Sequence, residues 1–178
     1  MIEQTNEVVK RFNGVVGNDV LCACEPLLSS TSRLPGIDGQ AKMSKSLKNA
    51  IPLGATPAVV SKAVHMMYTD PNHLRVSDPG QVQGNVVFAF LDAFDPDHGE
   101  VEELKARYRH GGLGDSVVKR RLEAVLLDVL EPIRKRRHQL KASPDYIVQV
   151  LREGTERARS SAAMTLAQVR QALGLTYF

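Results

Sequence analysis

The sequence predicts a mostly α-helical chain in which a mixed, loop-rich first part precedes a longer all-helical part. Two observations predict this division. From residue 56 onward apolar residues recur at helical spacing, as on the core-facing side of an amphipathic helix. Residues 35–49, in contrast, are rich in Gly, Ser and Lys and have almost no apolar periodicity, which indicates a loop. Hydrophobic residues make up 43% and charged residues 24% of the 178 residues, a composition that excludes intrinsic disorder and fibrous repeats.

The first part is expected to hold one helix and one or two short strands. Residues 2–11 have the pattern of an amphipathic helix, yet no N-cap or lead-in loop precedes them. We therefore expect the chain to begin inside a larger fold. A short apolar stretch over 18–28 is broken by Pro26, and residues 50–53 are expected to add a short strand after the loop.

The all-helical part begins with three short helices. Thr56 as N-cap and Pro57 at the first helical position predict a helix that continues to about Tyr68. Residues 86–94 are apolar on most sides, which predicts a buried helix. Residues 100–110 are mostly charged and end before a pair of glycines, which predicts a short charged helix.

Two long helices are predicted to complete the chain. Asp115 caps the first, whose apolar residues recur at helical spacing and which Pro132 is expected to bend or interrupt. Ser143 and Pro144 open the second, and its broad apolar stripe continues until Gly174.

The chain has no sequence feature of export or membrane insertion. No stretch approaches 18 consecutive apolar residues, and the N-terminus lacks a charged start followed by an apolar run. Cys22 and Cys24 form a single C-x-C pair, a spacing that is unfavourable for a mutual disulfide. We therefore expect a cytoplasmic protein in a reducing compartment.

The loop over 35–49 concentrates groups that bind a polyphosphate. Three lysines supply compact positive charges on flexible side chains and two serines supply hydroxyl donors; these residues are Lys42, Lys45, Lys48, Ser44 and Ser46. A mobile cationic loop that gains contacts as charge develops on a leaving pyrophosphate stabilises the transition state more than the ground state. For a generic loop of this composition, a solvated segment without function is the alternative.

The order of residues from Lys42 to Ser46, KMSKS, matches the signature of class I aminoacyl-tRNA synthetases without a departure. The flanking stretches 34–41 and 47–51, the run MYTDPNHLR over 67–75 and the final helix also resemble bacterial tryptophanyl-tRNA synthetases. The resemblance covers nearly the whole chain, and it favours the tryptophanyl over the tyrosyl enzymes.

The resemblance implies ATP-dependent activation of tryptophan, followed by transfer of the aminoacyl group to tRNA(Trp), with Mg²⁺ accompanying the ATP and no protein ligand assigned to it. By the same resemblance, Lys42 and Lys45 are the catalytic contacts to the phosphates. The other ATP-binding residues implied by the motif and its flank are Met43, Ser44, Ser46 and Leu34, of which Leu34, with its neighbour Arg33, would lie near the adenine. Synthetases of this family are homodimers.

One departure from the family concerns the start of the chain. The family's catalytic domain begins with a His-Ile-Gly-His type signature and tryptophan-binding residues, and the five histidines here stand singly. The resemblance therefore implies that residues 1–53 are the C-terminal part of a Rossmann-like catalytic domain with the KMSKS loop, and that residues 54–178 are an α-helical anticodon-binding domain. We expect a C-terminal fragment that does not aminoacylate by itself.

Basic residues cluster in the first of the two long helices. Residues 117–142 include eight basic and three acidic residues, so eight minus three gives a local charge of +5. A basic helix of this kind is suited to the tRNA backbone, although a solvated helix face is the alternative. The candidate tRNA-binding residues are Arg120, Arg121, Arg134, Arg136 and Arg137.

Other functions remain as alternatives. The acidic stretch with Asp92, Asp95, Asp97 and His98 is compatible with a metal site, but a helix end followed by an Asp-Pro turn is favoured, and no metal ligand is assigned. A noncatalytic helical module that binds tRNA or a synthetase is the second hypothesis. A purely structural helical domain is the third, and it leaves the intact KMSKS loop without a reason.

Overall fold

A computed structural model describes residues 1–31, 33–40 and 42–175 of the chain. Ala41, in the predicted loop, and the three residues after Leu175, at the end of the predicted anticodon-binding domain, lie outside the described residues. The described residues form α1 (Ile2–Val16), α2 (Pro57–Met66), α3 (Val86–Phe94), α4 (His98–His110), α5 (Asp115–Lys141) and α6 (Pro144–Ala172). The prediction of a mostly α-helical chain is therefore confirmed.

The predicted strand over residues 50–53 is wrong. Within the described residues β-pairing is limited to one isolated antiparallel bridge between Pro35 and Lys42. Pro52 has no N–H group to donate to a neighbouring strand, and its carbonyl instead accepts a hydrogen bond from the Ala55 N–H at 2.9 Å. Residues 52–55 therefore form a turn that leads into α2.

The described chain divides into two compact units. One, called here the loop-bearing unit, comprises residues 30–141, and the other, the terminal unit, comprises residues 1–29 together with the chain from Ala142 onward. The predicted domain boundary between residues 53 and 54 stays a prediction. No described helix is both long and apolar enough to cross a membrane.

The loop-bearing unit has one hydrophobic core, in which α2 and α3 pack against α5, and α4 packs against α3. Burying a large apolar side chain of this kind contributes about 1.5–3 kcal/mol. The most completely buried apolar side chains are Val60, Val64, Val86, Val87, Phe88, Leu91, Val101, Tyr108 and Leu122.

The ends of α2 and α3 follow from their capping residues. The Thr56 hydroxyl accepts a hydrogen bond from the Val59 N–H at 3.4 Å, and the Asn85 side chain accepts one from the Val87 N–H at 3.0 Å. α2 ends at Met66, two residues before the predicted end, because the Tyr68 N–H donates to the Ile37 carbonyl and not to its own helix.

α4 and α5 also differ slightly from the sequence expectation. α4 begins at His98, since the Asp97 carboxylate caps the helix by accepting the Glu100 N–H at 3.0 Å. α5 runs without interruption through Pro132, so the predicted interruption of the helix at this proline is wrong. Pro132 and Asp128 are both exposed, so the carbonyl that loses its helical donor has access to water.

In the terminal unit, two asparagines of α1 hold the chain that follows the helix. The Asn13 side chain accepts from the Leu21 N–H at 3.0 Å and donates to the Leu21 carbonyl at 2.8 Å. Two turns earlier, Asn6 makes the same pair of bonds with Cys24, at 2.7 and 2.9 Å. α6 has the predicted start, but none of its described residues is buried, so its apolar stripe is exposed.

Candidate functional site

The loop with the lysine and serine residues is folded around a buried amide. Asn49 is 3% exposed, and its side-chain nitrogen donates to both carboxylate oxygens of Asp38, at 3.2 and 3.0 Å. Its side-chain oxygen accepts the Ser44 N–H at 2.7 Å, and its backbone carbonyl accepts the Ile37 N–H at 2.9 Å. Asn49, at one end of the loop, is therefore bonded both to the other end, at Ile37 and Asp38, and to the middle, at Ser44.

Close approach to this amide requires glycine at position 36. A Cβ atom added to Gly36 would lie 2.1 Å from the Asn49 side-chain nitrogen and 2.7 Å from an Asp38 oxygen. Sequence reasoning gave the glycines of the loop the role of letting the backbone approach a ligand, and it assigned no role to Asp38 or Asn49. The only available signal was the position of an asparagine directly after the Lys/Ser run and of two glycines before it.

The cationic groups of the loop are free to meet a ligand. Lys42, Lys45 and Lys48 are exposed, and their ammonium groups form no ion pair with any described residue. The Ser44 and Ser46 hydroxyls share a hydrogen bond of 2.9 Å. Three unpaired ammonium groups beside two hydroxyl groups give the donor set that a phosphate chain requires.

A cavity of about 590 Å³ opens beside the loop. Its polar lining residues are Ser44, Lys45 and Lys48. The apolar lining residues are Met43, Ala50, Ile51, Pro52 and Leu53. A cavity lined by both apolar and cationic side chains suits a ligand with an apolar ring and a charged tail.

The structure brings only some of the predicted ATP-binding residues to this cavity. Met43, Ser44 and Lys45 line it, whereas Lys42, Ser46 and Leu34 are absent from its described lining. Lys42 pairs with Pro35 in the isolated bridge, and Leu34 packs against the hydrophobic core. Lys48, to which no role was given beyond its charge, is a lining residue that the KMSKS signature does not include.

The loop is attached to the helices through Tyr68. The Tyr68 N–H donates to the Ile37 carbonyl at 2.9 Å, and the Tyr68 carbonyl accepts the Val86 N–H at 3.2 Å. The Tyr68 ring covers Gly39, whose φ of 71° and lack of a Cβ both suit this position. A Cβ at Gly39 would lie 2.8 Å from the ring.

The candidate tRNA-binding arginines of α5 fall into two groups. Arg121 is held by the Asp95 carboxylate, at 2.8 and 3.0 Å, and by Glu100 at 2.8 Å. This hydrogen-bonded guanidinium holds the pKa of the Asp95 carboxyl below its ordinary value. Arg134 donates to the Leu127 carbonyl at 3.4 Å. The remaining candidates, Arg120, Arg136 and Arg137, are exposed and form no ion pair with a described residue.

The acidic stretch between α3 and α4 forms a turn, as favoured by the sequence. One Asp95 oxygen accepts the Asp97 N–H at 3.0 Å, and Asp97 caps α4. Asp92 pairs with the Lys105 ammonium at 2.5 Å. Each carboxylate therefore has a protein partner, and the described residues contain no group of three metal-ligating side chains.

Comparison with known proteins identifies the family. The family model described as tRNA synthetases class I (W and Y) matches residues 1–131. The chain belongs to this family. Membership in the class I synthetases, predicted from the KMSKS signature, is thereby confirmed.

Individual relatives and a solved structure agree with this family. The tryptophan–tRNA ligase of Clostridium longisporum is 48% identical, over 100% of this chain and 53% of its own length. The enzyme of the same name from Streptococcus pyogenes serotype M3 is 45% identical, over 100% of this chain and 54% of its own. The chain thus spans about half the length of the curated relatives it matches.

The fold is also that of a solved family member. Tryptophanyl-tRNA synthetase from Campylobacter jejuni, crystallised with ADP and tryptophan, has a TM-score of 0.71 at 24% identity, over 98% of this chain and 53% of that one. At this identity the likeness shows the shared fold alone.

Proposed function

We propose that this chain acts within a tryptophan–tRNA ligase and supplies the loop that holds the phosphates of ATP. The observation that carries the proposal is the cavity of about 590 Å³, which Ser44, Lys45 and Lys48 line together with apolar residues. Relatives that align with the whole chain at 45–48% identity bear the name tryptophan–tRNA ligase, which supports tryptophan as the amino acid.

In the proposed reaction, a carboxylate oxygen of tryptophan attacks the α-phosphorus of ATP. The bond between that phosphorus and the oxygen bridging to the β-phosphate breaks, and pyrophosphate leaves with the negative charge. In this proposal Lys45, which lines the cavity, contacts the departing phosphates, and Lys42, which pairs with Pro35, assists it. Removing one such contact typically costs about 3 kcal/mol, or about 100-fold in rate.

The second step transfers the tryptophanyl group from the adenylate to a ribose hydroxyl of tRNA, releasing AMP. Mg²⁺ would accompany the ATP phosphates, and no protein ligand is assigned to it. Because no described residue is assigned to tryptophan, the proposal limits this chain to the phosphate loop and the helices behind it. Residues 1–53 as a Rossmann-like end, residues 54–178 as an anticodon-binding domain, a homodimer and a cytoplasmic location remain predictions.

A contribution to tRNA binding is favoured by the exposed arginines of α5. Arg120, Arg136 and Arg137 form no ion pair with a described residue, whereas Arg121 is occupied by two carboxylates. Phosphate contacts of this kind weaken steeply with salt. If charge reversal at Arg136 and Arg137 leaves tRNA affinity and its salt dependence unchanged, these residues are not part of the tRNA surface.

Calorimetric titration of the 178-residue chain with ATP and Mg²⁺ tests the proposed phosphate contact. Lys45→Ala should weaken ATP binding roughly 10- to 100-fold, the value of a hydrogen bond to a charged group. Lys62→Ala, which removes an exposed ammonium of α2, serves as the matched control. Equal affinities for the Lys45→Ala variant and the wild type would contradict the proposal.

The expectation that the chain is a C-terminal portion, unable to aminoacylate alone, also remains a prediction. Pyrophosphate exchange in the presence of tryptophan and ATP is its assay, and appreciable turnover by the 178-residue chain would refute it.

A further inference from the structure

A continuous path of hydrogen bonds leads from the loop over residues 35–49, called here the phosphate loop, to the segment after α2. Ser44 donates its N–H to the Asn49 side chain at 2.7 Å, and the Asn49 carbonyl accepts the Ile37 N–H at 2.9 Å. The Ile37 carbonyl in turn accepts the Tyr68 N–H at 2.9 Å. The main-chain position of Tyr68 therefore determines where this side of the loop lies.

Two side chains of α5 hold the main chain on either side of Tyr68. The Lys119 ammonium donates to the His65 and Met67 carbonyls, both at 2.9 Å, and so satisfies carbonyl groups at the end of α2. The Thr69 hydroxyl donates to one Asp115 oxygen at 2.9 Å. Asp115 and Lys119 are four residues apart and lie on one face of α5.

The Asp115 carboxylate is itself fixed by two buried rings. The Tyr108 hydroxyl donates to its second oxygen at 2.7 Å, and the His73 Nδ1 atom lies 3.4 Å from the same oxygen. The rings of His73 and Tyr108 pack with their centroids 4.5 Å apart. A carboxylate with partners on three sides has little freedom to follow a moving loop.

We propose that Thr69, Asp115 and Lys119 are positioning residues for the phosphate loop, and that they hold Tyr68 so that the Ile37–Asn49–Ser44 path keeps Lys45 at the cavity. The consequence for ATP binding rests on the function proposed above. The positioning of the loop does not rest on that function, because it concerns hydrogen bonds within the loop-bearing unit. None of the three residues reaches the described cavity lining.

A purely structural role would have a different signature. If the three residues only stabilised the packing of α2 on α5, their loss would lower the free energy of unfolding and leave the loop amides of the folded protein unaffected. If they position the loop, the amides of Tyr68, Ile37 and Ser44 will open locally more often, without global unfolding.

The test uses two substitutions at one position. Thr69→Val keeps the shape of the side chain and removes the hydroxyl, whereas Thr69→Ser keeps the hydroxyl. Thr165→Val, which removes a hydroxyl that donates only within α6, is the control. Amide hydrogen exchange, followed by NMR on the 178-residue chain, is measured at Tyr68, Ile37 and Ser44. The internal reference is the amide of Asp95, the residue directly after α3, which donates to the Leu91 carbonyl.

We expect Thr69→Val to accelerate exchange at these three amides by about tenfold, the value of one lost hydrogen bond, with Asp95 unchanged and with Thr69→Ser restoring the wild-type rates. ATP affinity should fall in Thr69→Val and return to the wild-type value in Thr69→Ser. Unchanged exchange at Ile37 and Ser44 in Thr69→Val, or equal acceleration at Asp95, would overturn the proposal. A wild-type chain that binds no ATP would refute the proposed function and leave the exchange result to decide the positioning.

Discussion

Replacement of Asn49 is the perturbation for which the structure gives the sharpest expectation. Its side chain accepts the Ser44 N–H and donates to Asp38, while being almost completely enclosed. Asn49→Ala removes all three of these bonds at once. The Ser44 N–H then loses its acceptor, and because this N–H is partly buried, water has limited access to replace it.

The size of the effect follows from the exposure of the two partners. A partly buried N–H left without an acceptor costs about 1–3 kcal/mol. Asp38 is exposed, so water replaces its lost donor and its bonds contribute only about 0.5 kcal/mol. We therefore expect the free energy of local loop opening to fall by about 1.5–3.5 kcal/mol, which corresponds to roughly 10- to 400-fold faster exchange of the Ser44 amide.

Asn49→Asp makes the same point with an isosteric side chain. The new carboxylate can still accept the Ser44 N–H, but it faces the Asp38 carboxylate in place of a donor. Two like charges at this distance repel each other, so at neutral pH the loop should open more easily in Asn49→Asp than in the wild type.

The assay is amide exchange of Ser44 and Ile37 by NMR, combined with ATP titration of the same samples. Asn72→Ala, which removes an exposed amide of the loop-bearing unit, controls for the loss of an asparagine side chain. If exchange at Ser44 in Asn49→Ala stays within about threefold of the wild type, the hydrogen bonds of Asn49 do not hold the loop.

Three further predictions concern the support of the site. Gly36→Ala places a Cβ 2.1 Å from the Asn49 amide and should lower the free energy of unfolding by about 1–3 kcal/mol, measured by urea titration; an unchanged midpoint would contradict the close packing. The Arg121 guanidinium lowers the pKa of the Asp95 carboxyl from its ordinary value of 3.8. The stability that this pair contributes is therefore complete above about pH 4 and is lost as the pH falls through the lower pKa of the folded state. The difference in free energy of unfolding between the wild type and Asp95→Asn should shrink in acid, and a constant difference from about pH 7 to pH 2 would refute this. Leu122→Ala should cost about 2–5 kcal/mol by calorimetry, and a loss below 1 kcal/mol would show that α5 is not central to the core.

Much of the fold could be predicted because its signals are local. Thr56, Pro57 and Asn85 act within one helical turn, and the apolar run of α3 determines its own burial. The predicted strand over 50–53 failed for the opposite reason. A strand exists only if a neighbour pairs with it, and the only local signal against pairing was Pro52, which has no N–H group to donate.

The site was predicted only as far as its charges. The KMSKS signature is a local pattern, so Lys45 and Ser44 could be predicted as phosphate contacts from the sequence, and both line the cavity. The residues that shape the loop act across longer separations: Asp38 meets Asn49 eleven residues later, and Thr69 meets Asp115 forty-six residues later. Such contacts depend on packing, which helical periodicity does not specify.

Binding of inorganic tripolyphosphate tests the central claim most directly, because this ligand has the phosphates of ATP without its base or ribose. Amide chemical shifts of the chain should move for residues 43–48 and stay constant for residues near the middle of α5, with the response much reduced in Lys45→Ala. Shifts confined to α5, or identical responses of the wild type and Lys45→Ala, would contradict a phosphate site in this loop.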